Sequence, residues 1–566
     1  MIWHDNERLL RLSPHDWLTA ADLYTHVSIM SATGGGKTTA VIANLLLAML
    51  QQQWAGLVIC VKASQFAHIL QLATVAGREA DVIRFAPSLD AQDRLWRCNI
   101  MDYIAKTHGF GAVEEVVNLL GYLIQVMESR TALAEREQFW DRAANALTRH
   151  STSLMLLSGD SLSFDGLYQL ITSLPQNLDQ MDDVTWQRGS EFWRIAQQAR
   201  ERVRTPREQH AVAMNLRYFQ QFAGLAERTR SSIVMTLSSV IDLLLHGTLY
   251  ELFCTDTTVT PDYLEKGAII VMDMPMHGTA GRTGQIAQYL FKYLTQQALL
   301  RRDVSPQTHP VFLLADEAHR LLSSHDYLFL AESREVKVCN IFATQSISNY
   351  YAALQGNRES ADALLALFNI HIWLQNSDPA TNHYASRLIG QAYHMQYGWQ
   401  ADAQGRIGIS GNLHPDDIVP PWMFSQLIKG GSPYWLAEAI IFTGQYWQAS
   451  QSLVLWTLFP QIIDGQRPAF AVQADNDDLD TLEDMPHPFL AFLAMLLPFI
   501  EDFFILQQNP ALLLRETEDS FMSLPEPSRP EITPVVDIPA SSFLFSPVED
   551  AEQLVLLSSS DEDEAL

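Results

Sequence analysis

Thr25-His-Val-Ser-Ile-Met-Ser-Ala-Thr-Gly-Gly-Gly-Lys-Thr-Thr39 is the stretch on which the fold turns. Thr25–Met30 reads as a short β-strand, Ser31–Gly36 as a glycine-rich turn, and Lys37–Gln53 as a helix that is apolar at nearly every inward position. A loop of this kind, strand before and helix after, wraps phosphate oxygens with backbone N–H groups and turns a helix N-terminus toward the anion. Thr33, Gly34, Gly35, Gly36, Lys37, Thr38 and Thr39 are therefore the expected nucleotide-binding residues. Lys37 is the point charge for the β- and γ-phosphates, and the Thr38 hydroxyl is a magnesium ligand. The first glycine of the usual G-x-x-x-x-G-K-[ST] pattern is Ser31 here, a departure that a serine accommodates if its φ stays negative. The expected cofactors are ATP and Mg²⁺.

Further strands follow outward from this motif, at Gly56–Lys62 and Asp81–Phe85, and then at Ala268–Asp273, Val311–Ala315, Cys339–Ala343, Ile370–Leu374 and Leu436–Phe442. Strands alternating with helices predict an α/β protein with a mainly parallel sheet. From about Tyr103 to Glu227 the pattern changes to long helical periods, which reads as an all-α insertion. The expected domains are residues 1–103 and 228–460 as two parts of one nucleotide-binding domain, with 104–227 inserted between them. Residues 461–486 read as an acidic linker, 487–514 as an apolar helical segment and 515–566 as a disordered acidic tail.

Two more strands end in groups that carry chemistry. Val311–His319 (VFLLADEAH) is an apolar strand closed by Asp316 and Glu317. At the carboxyl edge of a parallel sheet Asp316 would hold Mg²⁺ and Glu317 would polarise the attacking water. Alone, such a pair reads as a helix N-cap; beside a phosphate loop the catalytic reading prevails. Asn340–Ser346 (NIFATQS) places Gln345 where it could contact the γ-phosphate or the lytic water, although in isolation it would read as a helix cap. Arg334, eleven residues upstream of Gln345 and near the end of the intervening helix, is either a cation delivered to a neighbouring subunit's nucleotide or a solvated helix charge.

The composition sets limits. With 566 residues, 48% hydrophobic and 18% charged, the chain has the make-up of a folded protein of several units. Four cysteines without a CxxC pair argue against a disulfide scaffold or zinc ribbon and suit the cytoplasm. Neither a signal peptide nor a transmembrane helix is expected, since the longest apolar run, Phe489–Ile500, falls short of about 20 residues and is broken by Pro498. The net charge of −28 has the wrong sign for a protein whose whole surface binds nucleic acid. Residues 515–566 account for 13 acidic and 2 basic side chains, and the remaining body can keep a locally positive channel.

In order along the chain, SATGGGKTT, LAERTRSSIVMTLSSVIDLL (Leu225–Leu244), ELFCTDTTVTPDYLEKGAIIVMDMP (Glu251–Pro275), ADEAH and FATQSISNYY resemble the type IV coupling proteins of conjugation and type IV secretion. These form a branch of the FtsK/HerA-type motor ATPases, and this chain is similar to members carrying a "TraM recognition" type domain, over about Leu10 to Trp447. The resemblance implies a RecA-like P-loop motor with an inserted all-α domain, a hexameric homo-oligomer, and ATP-driven movement of DNA through a central channel. It carries Lys37 and Thr38 onto the phosphate and Mg²⁺ positions, Asp316 and Glu317 onto the Walker B pair, and Gln345 onto the sensor. Arg334 matches the inter-subunit arginine by offset only. Arg228 and Arg230 fall in a family signature, where they would touch a neighbour's nucleotide or DNA, or form a structural hinge. Asn376–Asn382 (NSDPATN) reads as helix capping after a strand.

Membrane-bound relatives begin with transmembrane helices that are not expected in this sequence, which points either to a separate membrane partner or to a role without a channel. The acidic tail is a candidate protein-binding segment. Residues around Phe489–Leu506 are either packed on the body or a surface for membrane or partner. A nucleotide-gated recruiting or assembly module without DNA translocation is the alternative reading, and a genome-packaging ATPase shares the motor chemistry.

Overall fold

The computed structural model describes residues 2–465, apart from 63, 128–134, 277–280, 402–406, 433 and 464. The apolar helical segment 487–514, the tail 515–566 and nearly all of the acidic linker lie outside the described residues.

Thirteen strands are formed among the described residues: β1 (Arg8–Arg11), β2 (Trp17–Thr19), β3 (Val27–Met30), β4 (Ala55–Cys60), β5 (Val82–Phe85), β6 (Ile269–Asp273), β7 (Val311–Asp316), β8 (Val338–Thr344), β9 (Ile370–Leu374), β10 (Gln391–Ala401), β11 (Ile407–Asp417), β12 (Leu436–Trp447) and β13 (Ser452–Pro460). Nine make one sheet in the order β13-β12-β9-β3-β8-β7-β4-β6-β5. The seven from β9 to β5 run parallel, and β12 and β13 close one edge antiparallel.

Apolar side chains cover both faces, which is why β3, β4, β6, β7, β8 and β9 are buried along their whole length and appear in the sequence as unbroken apolar runs. Met49, Leu50, Trp54, Val58 and Phe312 belong to the core on one face; Leu57, Met272, Leu290, Phe291 and Leu313 belong to the core on the other.

Every regular element between β5 and β6 is helical among the described residues, from Ile100–His108 through Gly247–Phe253. Local sequence sets their starts. Thr205 and Glu208 form a reciprocal capping box ahead of Pro206–Ala223, and Ser163 and Ser190 cap Phe164–Thr172 and Glu191–Arg202. The Ala112–Met127 helix packs back onto the motor side, with Tyr122 stacked on Tyr293 of the Gly281–Leu300 helix.

Three elements go beyond the sequence reading: the β1–β2 hairpin, the β10–β11 hairpin and β13. Buried Asp16 ties the first to the turn between β12 and β13, accepting from the Gln448 and Ala449 N–H groups. No single helix among the described residues is long and apolar enough to cross a membrane; the Glu227–Leu244 and Gly247–Phe253 pair passes only jointly and is bent by 79°. The whole is the α/β arrangement of a RecA-like P-loop protein, with β8 lying between the phosphate-loop strand β3 and the acidic strand β7.

Candidate active site

Register places the site. Met30 of β3 pairs with Thr344 of β8, and Asp316 of β7 with Ala343, so the segments leaving these three strands emerge side by side at the carboxyl edge of the sheet. With strands about 4.8 Å apart, groups from β3 and β7 are within one side chain's reach.

The Ser31–Gly36 loop hangs from both neighbouring strands. Ser31 N–H donates to the Thr344 carbonyl (3.2 Å) and Ala32 N–H to the Gln375 carbonyl (2.9 Å). Ser31 is fully buried, and its backbone is not left-handed. Its hydroxyl lies 2.4 Å from where a Cβ on Gly35 would sit, so serine at the first position and glycine at Gly35 are complementary. Gly34 (φ +74°) and Gly36 (φ +98°) take the left-handed conformation that turns the backbone into the helix beginning at Lys37. That helix opens with a widened π-type turn, Lys37–Ile42, and continues as Ala43–Gln51.

Lys37 reaches across β8 to both carboxylates. Its Nζ lies 2.6 Å from Asp316 Oδ1 and 3.2 Å from Glu317 Oε1. Asp316 Oδ2 accepts from the Thr38 hydroxyl (3.1 Å) and from Gln65 Nε2 (2.8 Å). Glu317 Oε1 also accepts from Gln345 Nε2 at 3.1 Å. Glu317 has φ +60°, a left-handed backbone that costs a non-glycine residue about 1 kcal/mol or more. This strain swings its carboxylate back over the edge toward Lys37 and Gln345. Its Oε2 is buried without a hydrogen bond, 3.7 Å from His319 Nδ1. His319 Nδ1 in turn lies 3.0 Å from the Thr344 hydroxyl. Burial holds the His319 pKa below the ordinary imidazole value, against an opposing pull from Glu317, which keeps the ring neutral near pH 7.

This donor set fits a magnesium nucleotide. The loop backbone is stripped of Cβ atoms where a phosphate must approach, and a hydroxyl beside a carboxylate is the hard-oxygen pair that Mg²⁺ takes when phosphates and water complete its shell. Among the described residues no three His, Cys, Asp or Glu side chains gather as a metal cluster.

The other expected residues are not part of this hydrogen-bonded cluster. Thr33 and Gly34 are exposed at the loop tip. The Thr39 hydroxyl is committed to Gln461 Nε2 at 2.6 Å, on the segment after β13. Arg334 is exposed in the turn between the Ser324–Glu332 helix and β8, just past the helix end. It therefore stands at the amino edge of the sheet, about 20 Å from Gln345 along a seven-residue strand. Arg228 is exposed in the first turn of Glu227–Leu244, and Arg230 donates to the Ala223 and Leu225 carbonyls at 3.3 and 3.1 Å, capping the preceding helix. In Asn376–Asn382, Asp378 caps Pro379–Ile389 as expected, while Asn376 Nδ2 holds the Gln345 carbonyl at 2.8 Å.

Gln65 is a site neighbour that the sequence did not single out, while His319 and Asn376 stood in quoted segments, VFLLADEAH and NSDPATN, without being assigned to the site. Gln65 follows β4, and only the adjacency of β4 and β7 in the sheet brings it to Asp316. The available signal was that all three closely follow strands ending at this edge.

The family described as "Type IV secretory system Conjugative DNA transfer" matches residues 8–398. No curated protein matches the sequence. Among solved structures, the bacterial conjugative coupling protein TrwBdeltaN70 in its unbound monoclinic form superposes with a TM-score of 0.54 at 15% identity, over 83% of this chain and 92% of that one. TrwB in complex with the non-hydrolysable ATP analogue ADPNP gives 0.53 at 14% identity, over 81% and 92%. TrwB in complex with ADP and Mg²⁺ gives 0.50 at 14% identity, over 82% and 92%. The phosphate loop, the acidic strand and the intervening strand thus stand in a fold shared with conjugative coupling proteins, and the chain belongs to the type IV secretory system conjugative DNA transfer family.

Proposed function

We propose that this chain is an ATP-hydrolysing motor that moves DNA in a type IV system, acting as a homo-oligomeric ring of six subunits. The observation that carries the reading is the convergence of Lys37, Thr38, Asp316, Glu317 and Gln345 at the ends of three adjacent strands. Lys37 and the Gly34–Gly36 backbone bind the phosphates. Thr38 and Asp316 would hold Mg²⁺, which would supply neutralisation of the phosphate charge. Glu317 accepts a proton from the attacking water as the water oxygen bonds to the γ-phosphorus and the bond from that phosphorus to the β,γ-bridging oxygen breaks, which releases ADP and phosphate; Gln345, already bonded to Glu317, registers loss of the γ-phosphate. Catalysis here is positioning and charge neutralisation.

Arg334, out of reach of its own site, serves the neighbouring subunit's nucleotide, which makes hydrolysis depend on assembly. Residues 104–227 are the inserted all-α domain, and 1–103 with 228–460 form the motor domain. Arg228 lies free at the edge of the insertion for a neighbour or DNA, whereas Arg230 serves the helix junction. The motor works in the cytoplasm, and the acidic C-terminal segment recruits it to a protein partner at the membrane.

Hydrolysis measured against protein concentration, with and without single- and double-stranded DNA and with Glu317→Gln as the blank, tests this. Cooperative, DNA-stimulated turnover is expected. Turnover indifferent to DNA would favour a nucleotide-gated recruiting module instead. Arg334→Ala subunits should regain hydrolysis when mixed with Glu317→Gln subunits, which supply the arginine in trans; no recovery in the mixture would remove that role.

A further inference from the structure

A second glycine turn rests on the phosphate loop. Ile428–Gly431, which precedes β12, brings Gly430 against Gly36: a Cβ on Gly430 would sit 3.1 Å from Gly36 Cα and 2.8 Å from Gln461 Nε2. The turn is fixed at both ends. Ile428 N–H donates to the buried Glu438 carboxylate (2.9 Å), and Gly431 N–H to Gln461 Oε1 (2.7 Å). Gln461 also donates to the Thr39 hydroxyl, and the next residue, Ile462, donates its N–H to the Thr39 carbonyl at 2.8 Å. The turn, the segment after β13 and the start of the phosphate-loop helix are thereby locked into one unit.

Lys429 is the side chain this unit presents. It is exposed, yet it folds back over the loop: its Cε and Nζ lie 3.4 and 3.7 Å from where a Cβ on Gly34 would be. Among the described residues no carboxylate pairs with it within 4.0 Å. An exposed lysine gains hydration and side-chain entropy by extending into water. One laid along a glycine loop whose N–H groups face an anion is placed to share that anion.

We propose that Lys429 is a second phosphate-binding cation of the nucleotide site, supplied in cis by the turn before β12. The proposal rests on the nucleotide reading given above. It assigns to one subunit a cation distinct from Lys37, which is bound to Asp316 and Glu317, and from Arg334, which is at the opposite edge of the sheet.

Equilibrium titration of the full chain with a fluorescent MgATP analogue, and displacement by MgADP and by tripolyphosphate, tests it. Lys429→Gln should weaken all three by about tenfold, the size of one charge-assisted contact. Lys429→Arg should restore most of the loss, and Lys266→Gln, the removal of a distant surface charge, should change nothing. Both lysines are at the surface, so thermal melting should be unchanged in every variant. If the wild-type chain binds ATP and tripolyphosphate and Lys429→Gln binds them within twofold, the proposal is wrong while the nucleotide site stands. If the wild-type chain binds neither, both readings fall.

Discussion

Lys292 and Lys37 are both buried lysines facing an aspartate, 2.8 Å from Asp326 in one case and 2.6 Å from Asp316 in the other. Lys292 is 1% exposed and donates to the Leu321 carbonyl and to both Asp326 oxygens. Asp326 is completed by Gln296 Nε2 and by the Ser323 N–H and hydroxyl, where it caps a helix. Every partner in that group is permanent. Lys37 is placed differently, between two adjacent carboxylates at the end of the sheet, beside a loop of glycines, with one Glu317 oxygen left without a hydrogen bond. A buried pair whose bonding capacity is used up holds structure; one with surplus negative charge and an open anion cradle beside it is built to exchange partners. Lys37 can trade a carboxylate for phosphate, which Lys292 cannot do without leaving Asp326 buried and alone.

This contrast predicts opposite consequences for the same kind of substitution. Lys37→Ala should reduce ATP hydrolysis by about a thousandfold or more while thermal melting stays within a few degrees, as judged by steady-state turnover alongside a melting curve. A Lys37→Ala protein that hydrolyses ATP normally would break the comparison at its active side. Glu317→Gln should lower hydrolysis by about a hundredfold or more and leave nucleotide affinity in place, a split between turnover and binding that isolates its work on water.

Lys292→Met should act on stability alone, lowering it by about 3–5 kcal/mol because Asp326 is left buried without its partner. Urea unfolding would show this as a lower midpoint with an unchanged slope. Burial also holds His26 and His371 neutral, each with its pKa down at about 4. The unfolded chain binds these protons near pH 6.5, so the stability they contribute is present above that pH and is lost as pH falls toward 4, by about 3 kcal/mol each at the lower limit. Unfolding midpoints measured at pH 7, 6 and 5 should decline through this window. The smallest effect belongs to Gln65→Ala, which removes one of the two donors to Asp316 Oδ2 and leaves the Thr38 hydroxyl in place. About a fivefold loss of hydrolysis at unchanged stability is expected, read from turnover at saturating MgATP.

The order and edges of the parallel strands were legible because strands buried on both faces must be apolar throughout, and the phosphate loop was legible because few backbones other than glycine can follow it. The β10–β11 hairpin was not. Its first strand, QAYHMQYGWQA, does alternate, with Tyr393, Met395, Tyr397 and Trp399 set apart by polar residues or glycine, but its partner, IGISGNLHPDD, carries Gly408, Gly411 and Pro415 and reads as loop. β13, SLVLWTLFP, is an apolar run that periodicity alone does not separate from a buried helix. Within the site, Lys37, Thr38, Asp316, Glu317 and Gln345 each follow a strand in a recognisable pattern, and the structure brings these five together. Gln65 and Lys429 carry no local pattern, and the pattern around Asn376 reads only as helix capping. They arrive through the strand order, which sets β4 beside β7, and through the packing of the turn before β12 on the phosphate loop, neither of which is written in neighbouring residues.

Whether this phosphate site drives movement along DNA is read by displacement of a third strand from a triplex on linear double-stranded DNA. Movement along DNA requires ATP-dependent release by the wild-type chain, none with a non-hydrolysable analogue, and none by Glu317→Gln. ATP hydrolysis at full rate without release of the third strand would contradict it.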